Sequence, residues 1–419
     1  MRLLWLTHFV PYPATGHGAL QRTHHLLRVA AERHEVHLVA LSRPEHAAEW
    51  AEARAALGAW CASVAIIAAP GTAGRQGRVA AAARGALAGA SYWERLFDAP
   101  AAHRALRALL GAHRFDAAHV DTVFLAPYLA DLGDVPVVLV HHNVESDLLA
   151  KRAAQAGGVA GAYFARQARR TAHLERTLAV RVAENVVVSA LDGERLRALA
   201  PNAPVTVVPN GVDVDFFRPA PGTAVRPRSL VWAGGMDWFP NADAIDWFAD
   251  TLWPALSAQR PDRSATIVGR GAPASAVALA ARDPRVRVTG FVDDVRPYVH
   301  GADVYLCPIR VGGGTRLKIL DALAMGRPIV ATSIGVEGLG LTPDVHYLDA
   351  NDPDALVAAV TRLEDDPALG ARLAAAGRAY VEAHFAWPSV GEALHAAYAR
   401  AGGGPPAPGD RVVDGRPAA

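Results

Sequence analysis

The sequence predicts an α/β protein built from two Rossmann-like, doubly wound parallel-sheet domains facing a cleft. Three observations predict it. Short continuous apolar runs alternate with helical stretches, as they do when strands are buried on both faces of a parallel sheet. The alternation runs once, meets a Pro-rich stretch at residues 219–227 that reads as linker, and runs again. The chain, at 419 residues, has room for two or three domains.

Residues 3–7 read as the first strand, followed by a loop holding Pro11, Pro13, Gly16 and Gly18 and a helix over 20–33. Further strands are expected at 36–41, 64–68, 117–120, 135–140 and 186–189, with helices between them. Residues 145–184 read as a long helical region broken at Gly157-Gly158 and made basic by Arg166, Arg169, Arg170 and Arg176. That face is either solvated or in contact with a membrane surface or an acidic acceptor. After 205–208 the pattern restarts, with strands at 230–233, 266–268, 286–289, 304–308 and 329–331. Helix is expected over 353–383 and 390–400, and the Gly- and Pro-rich tail from 402 to 419 reads as disordered.

Hydrophobic content of 51% and a net charge of +1 fit a globular chain with large cores and no field that would favour nucleic acid. Cys61 and Cys307 are far apart and form no CxxC pair, the pattern of a reduced cytosolic protein. The start MRLLWLTHFVP reads as a buried strand and not as a secretory leader, and no apolar run is long enough for a transmembrane helix.

The stretch GGGTRLKILDALAMG, residues 312–326, carries the most chemistry. Gly312, Gly313 and Gly314 follow an apolar strand, Thr315 is a candidate N-cap, and Arg316 and Lys318 fall in the first helical turn. A helix N-terminus already carries unpaired N–H groups and partial positive charge, so two cations there are unfavourable unless an anion binds. A glycine turn lets a phosphate approach the backbone, and the pattern fits a phosphate or diphosphate site. The bland alternative is a strand–turn–helix with two solvated cations. Asp321, early in the same helix, either accepts hydrogen bonds from ribose or sugar hydroxyls or pairs with a neighbouring cation.

His142 follows an apolar strand, where polar residues of an α/β sheet face a ligand, and reads either as such or as a satisfied structural histidine. Asp213-Val214-Asp215 is a DxD triplet in a turn after Pro209-Asn210-Gly211 and is read as turn chemistry, with no metal expected. No GxGxxG fingerprint with its acidic partner, P-loop or GxSxG elbow is present.

Taken in order, these segments resemble the family-4-type retaining glycosyltransferases, enzymes of the GT-B fold, over about residues 1–400. The most specific pieces are Val207-Val208-Pro209-Asn210-Gly211-Val212-Asp213 and residues 312–332, GGGTRLKILDALAMGRPIVAT. Residues 187–190, 267–271, 288–292 and 385–387 support them. The resemblance implies an acceptor-side domain over 1–205, a nucleotide-sugar-binding domain over 206–385, and a helix over 386–401 crossing back onto the first domain. It implies transfer of a hexosyl-type sugar from a nucleotide-diphosphate sugar to an acceptor hydroxyl with retention at the anomeric carbon, in bacterial polysaccharide, glycolipid or glycoconjugate biosynthesis. No resident cofactor and no metal are expected. The acceptor is a glycan, a lipid-linked sugar or a small molecule. The protein is expected in the cytoplasm, free or peripheral at the inner face of the membrane, as a monomer or homodimer.

The resemblance also assigns residues. Asp321 matches the second of two acids eight apart, the one near the ribose, whereas the first falls on Gly313 and is missing. The Arg and Lys usual after the first strand of the second domain are also missing from Gly234-Gly235-Met236-Asp237, so Arg316 and Lys318 are expected to supply that charge. His142 matches a histidine near the donor sugar, and Gly16 and Gly18 match a loop under the diphosphate. Gly290, Phe291 and Val292 match a base-reading segment, and Arg270 lies in a supporting motif. A nucleotide-sugar epimerase of the same fold and a non-catalytic nucleotide-sugar or glycan-binding protein are the alternatives.

Overall fold

The apolar run that opens the chain is buried throughout, with Leu3, Leu4, Trp5 and Leu6 almost fully removed from water. It forms an interior strand of the first of two sheets. The computed structural model describes residues 1–13, 18–312 and 315–403. The chain divides into two units, Met1–Pro209 joined by the chain from Val390 onward, and Asn210–Ser389.

The first sheet holds β1 (Arg2–Thr7), β2 (Glu35–Ser42), β3 (Ser63–Ala68), β4 (Ala117–Val120), β5 (Val137–His141), β6 (Glu184–Val187) and β7 (Val205–Val207). Their order is β3-β2-β1-β4-β5-β6-β7, and every pairing is parallel. The chain winds outward from β1 to β3, returns, and winds the other way from β4. That reversal puts a switch point between β1 and β4, where α/β sheets open a crevice beyond the strand ends. Because β7 pairs with β6, the first unit runs past the expected 205/206 boundary.

The last helix, Trp387–Ala401, packs within this unit from Val390 onward. Gly391 lets it approach closely, since a Cβ there would stand 2.3 Å from Val29 Cγ1. Arg33 pairs with Glu392, and the buried Tyr398 hydroxyl bonds His119 Nδ1 at 2.8 Å.

The second sheet holds β8 (Arg226–Ala233), β9 (Ser264–Val268), β10 (Val286–Val288), β11 (Ala302–Cys307), β12 (Ile329–Ala331) and β13 (Leu348–Asp349). The order β10-β9-β8-β11-β12-β13 is again wholly parallel, with its switch point between β8 and β11. Trp232, Trp253 and Leu306 anchor one face of its core, and Tyr305, Ile319 and Leu323 the other. Each fully buried side chain of this size contributes roughly 1.5–3 kcal/mol.

Several sequence expectations move. The first helix spans Gly18–Arg33. The region 145–184 is two helices, Glu145–Ala156 and Gly158–Ala179, joined at Gly157 with φ 60°, and its end is already β6. The region 353–383 is also two helices, split at Asp366, whose side chain accepts from Leu369 N. Pro227, taken as linker, lies in β8, and the register with β11 shifts there between Ala302 and Val304. Proline has no N–H to give a ladder, so it is tolerated only at such an irregular strand end. The tail from 404 to 419 lies outside the described residues. Among the described residues no helix is long and apolar enough to cross a membrane.

Candidate functional site

Two polar clusters form, one at the switch point of each unit's sheet. In the first, Asp121 follows β4 directly and is 1% exposed. It accepts hydrogen bonds from Thr7 Oγ1 at 3.1 Å and Thr23 Oγ1 at 2.6 Å. His142 Nε2 lies 2.9 Å from Asp121 Oδ1, and His119 Nε2 lies 3.7 Å from it. Neither contact has the alignment of a hydrogen bond, and burial lowers the His119 imidazole. Burial works to raise the Asp121 carboxyl, but the charge of His142 and the contacts of both histidines hold it well below the ordinary value. His119 stacks on Trp5 with centroids 3.5 Å apart.

His141 faces the other side of the strand. Burial holds its imidazole down to about 4, and Nε2 meets Asn185 Oδ1 at 3.0 Å. His142 instead turns toward His8, with centroids 6.4 Å apart, and His8 in turn packs on Phe97 at 5.0 Å. Arg22, on the helix after β1, is buried and donates to Pro209 O at 2.6 Å and Val208 O at 2.7 Å. Burial lowers its guanidinium to about 10. Gly18 opens that helix, and Gly16 lies outside the described residues.

Sequence reasoning named His142 and missed Asp121, Arg22, Thr7 and Thr23. The signal for Asp121 was present: a polar residue directly after the apolar run of β4. Arg22 had no comparable local signal.

In the second unit, the loop after β8 meets the helix Leu317–Ala324 that follows β11. Lys318 Nζ donates to Asn241 Oδ1 at 2.6 Å and stands 4.2 Å from the Trp232 ring centroid. Asn241 Nδ2 donates to Gly235 O at 2.6 Å. A Cβ on Gly234 would lie 2.7 Å from Lys318 Nζ, and one on Gly269 would lie 1.9 Å from Gly234 O. These glycines therefore let the lysine and two loop backbones share one corner. Burial, reinforced by the nearby Arg316 and partly opposed by Cys307, brings Lys318 down to about 7. Among the described residues no carboxylate pairs with Lys318.

Arg316, 8% exposed, is the N-cap of the helix in place of Thr315, with φ −100° and ψ 97° and no side-chain cap. The Thr315 hydroxyl is engaged elsewhere, accepting from Asn210 Nδ2 at 2.5 Å. The Arg316 guanidinium lies against Gly312, where a Cβ would stand 2.8 Å from Nη2. Gly313 and Gly314 lie outside the described residues. The helix has no acidic residue in its first turn, so its N–H groups and both cations concentrate positive character at one end.

Asp321 is one turn further along, and burial raises its carboxyl to about 8. Its folded pKa stands above the unfolded one, so stability is full below about pH 4 and falls as pH rises toward 8. Asp321→Asn should therefore stabilise the ligand-free protein at pH 8 by on the order of 1–3 kcal/mol, with little change at pH 4. Urea melts at the two pH values check this; equal midpoints at pH 8 would refute it.

The remaining predicted residues are less tightly gathered. Gly290 bridges Gly269, whose N–H donates to Gly290 O at 3.0 Å. Phe291 is 64% exposed, whereas Val292 packs on the core. Arg270 pairs with Asp237 at 3.2 Å on the surface. The Asp213 side chain accepts from the backbone N–H of Asp215 at 3.1 Å and Phe216 at 2.9 Å, which is turn chemistry. Among the described residues no group of three His, Cys, Asp or Glu is placed to hold a metal.

Two family models match the chain, one described as Glycosyltransferase Family 4 over residues 16–216 and one as Glycosyl transferases group 1 over residues 227–366. A GDP-mannose-dependent monoacylated alpha-(1-6)-phosphatidylinositol monomannoside mannosyltransferase of Corynebacterium glutamicum is 33% identical over 207 residues, 45% of this chain and 54% of that protein. The chain thus spans about half the length of this relative. A glycogen synthase of Mycobacterium tuberculosis is 28% identical over 300 residues, 68% of each chain. Among solved structures, a sucrose-phosphate synthase from Thermosynechococcus elongatus superposes with a TM-score of 0.72 at 17% identity, covering 94% of this chain and 98% of that one.

Proposed function

The chain belongs to glycosyltransferase family 4, with the GT-B fold, and from that premise we propose that it is a retaining hexosyltransferase using a nucleotide-diphosphate sugar. The observation that carries the reading is Lys318, seated against Gly234 with an amide and an indole for company and, among the described residues, no carboxylate pairing with it. A cation held there without a counter-charge is a receptor for an anion, and a diphosphate fits the glycine corner around it. The usual cations of the loop after β8 are absent, and Lys318 supplies charge to that loop from the helix after β11.

The unit holding Lys318 is the donor side. Arg316 and Lys318 bind the diphosphate, Asp321 meets the ribose, and the backbone of Gly290, Phe291 and Val292 meets the base. Gly312, Gly313, Gly314 and Thr315 complete the proposed donor-binding set. The unit holding His142 is the acceptor side, with His142 near the transferred sugar and Gly16 and Gly18 as further proposed ligand contacts.

Transfer is a front-face displacement. The bond between the anomeric carbon and the β-phosphate oxygen breaks, and its electron pair leaves with the nucleoside diphosphate. The acceptor oxygen bonds to the same face of that carbon, and its proton passes to the departing phosphate oxygen. The protein contributes orientation and charge stabilisation. Glycan and lipid-linked sugar acceptors both fit this chemistry, acting in the cytoplasm or at the membrane face.

A thermal-shift panel of UDP-, GDP-, ADP- and dTDP-sugars tests the reading. One donor at about 100 times its Kd should stabilise the protein by roughly 2.7 kcal/mol; a panel without any shift refutes it. The pH dependence is a sharper arm. Lys318 titrates at about 7 in the free protein, and a bound diphosphate favours its charged form. Binding should therefore take up a proton above pH 7, and affinity should fall by up to roughly tenfold per pH unit there. Calorimetry from pH 6 to 9 reads the slope, and Lys318→Met should flatten it.

A further inference from the structure

A second basic site lies in the first unit, away from the Asp121 cluster. The helix Gly158–Ala179 presents Tyr163, Arg166, Arg170 and His173 at spacings of three, four and three, which is one face of a helix. Arg166, Arg169, Arg170 and His173 line a groove of about 470 Å³, closed on the other side by Ser91 and Glu94. That volume suits a small polar ligand.

The walls are built and not merely adjacent. Arg170 Nη1 donates to Ala90 O at 2.9 Å, and Tyr92 N donates to the buried Gln167 Oε1 at 3.2 Å. Ser91 and Glu94 close a capping box on the helix Tyr92–Phe97, with Ser91 N donating to Glu94 Oε2 at 2.8 Å. Arg166 and Arg169 make no ion pair among the described residues, and Glu94 is the single carboxylate among the described residues lining the groove. Tyr163, three residues before Arg166 on the same helix, is 44% exposed.

The groove also has a position relative to the chemistry proposed above. The helix Tyr92–Phe97 separates it from His8 and His142. Glu94, in its first turn, lines the groove, and Phe97, its last residue, packs on His8. At roughly 1.5 Å per residue, Glu94 and Phe97 are about 4.5 Å apart along the helix axis, the scale of one sugar ring.

We propose that this groove is an acceptor subsite for an anionic substituent, a phosphate or carboxylate carried on a sugar or polyol ring. The assignment rests on the glycosyltransferase reading. The anion lies across Arg166 and Arg169, whose charge is otherwise uncompensated, while Arg170 holds the floor and Glu94 sets an upper limit on affinity by repulsion. The anion belongs either to a soluble acidic sugar or to the head group of a glycolipid.

The test uses the full chain with its donor site saturated by the nucleoside diphosphate of the donor found in the panel. If the panel yields none, GDP is added instead. Binding of trigalacturonate and mannose 6-phosphate is compared with that of neutral maltotriose, and with pelleting on phosphatidylcholine vesicles with and without phosphatidylinositol. At least one charged probe should bind at least tenfold more tightly than maltotriose, as charge-assisted bonds require. Arg166→Ala with Arg169→Ala should lose about tenfold or more of that binding. Glu94→Gln, which keeps the capping oxygen, should gain a few-fold.

Soluble binding identifies an acidic sugar. Binding confined to phosphatidylinositol vesicles and lost in the arginine variant identifies a lipid head group. Equal binding of charged and neutral probes, or variants that bind like wild type in every arm, overturns the subsite. Donor-induced stabilisation is read in the same variants and should not change. Its presence with anion binding absent removes the subsite alone, and its absence throughout removes the donor reading instead.

Discussion

Arg316→Ala should lower turnover by on the order of 10²-fold or more in a protein that still folds, by analogy with the loss of one charge-stabilising donor. Negative charge moves onto the diphosphate as the anomeric bond breaks, and it must be met where it develops. Arg316 stands at the helix end with its guanidinium turned to the glycine turn. Both kcat and kcat/KM should fall, because the contact strengthens as the bond breaks. Arg316→Lys keeps the charge but loses the planar fork, and should fall between the two. Adding Lys318→Met should cost less than the product of the single losses, since both cations are proposed to serve one leaving group. The readout is donor turnover, with a thermal melt to establish folding; near-normal turnover in folded Arg316→Ala would sink the diphosphate role.

The prominence of that pair was legible in the sequence, but its setting was not. Two cations beside a glycine run can be read from local spacing. That Lys318 sits on Gly234 depends on β8 and β11 being neighbours, and strand order is a long-range property. Strands buried on both faces announced themselves as apolar runs, so most were found with small errors at their ends. β13, with only Leu348 and Asp349, has no run to find.

The N-cap was placed on Thr315 because a hydroxyl before a helix ordinarily caps it. Its hydroxyl accepts instead from Asn210, distant in sequence. Arg22 illustrates the same limit. An arginine on an amphipathic helix reads as surface, and here it is buried because the carbonyls of Val208 and Pro209 close on it. Asp121 differs, since the rule that picked out His142 after β5 applies equally to the residue after β4.

Asp121→Asn should produce the largest stability loss at the first cluster, about 3 kcal/mol, the low end of what removing one partner from a buried charge pair costs. The carboxylate accepts from Thr7 and Thr23 and attracts His142. Asparagine keeps one acceptor oxygen and turns an N–H₂ toward groups that already donate. The sign with pH follows from the depressed folded pKa. Above the ordinary carboxylate value of about 3.9 the unfolded chain is also ionised, and the contribution is complete. Below it, the unfolded chain binds the proton first, and the contribution drains away. Urea midpoints of wild type and variant should therefore still differ at pH 5 and approach one another as pH falls below about 4. A gap unchanged down to pH 3 would mean that packing, and not charge, is what Asp121 provides. The same variant frees the His142 ring from its anchor, so donor turnover should fall while donor-induced stabilisation, which belongs to the other unit, should persist. Loss of both together would place Asp121 in the folding of the whole chain and remove the case for a separate role at the sugar.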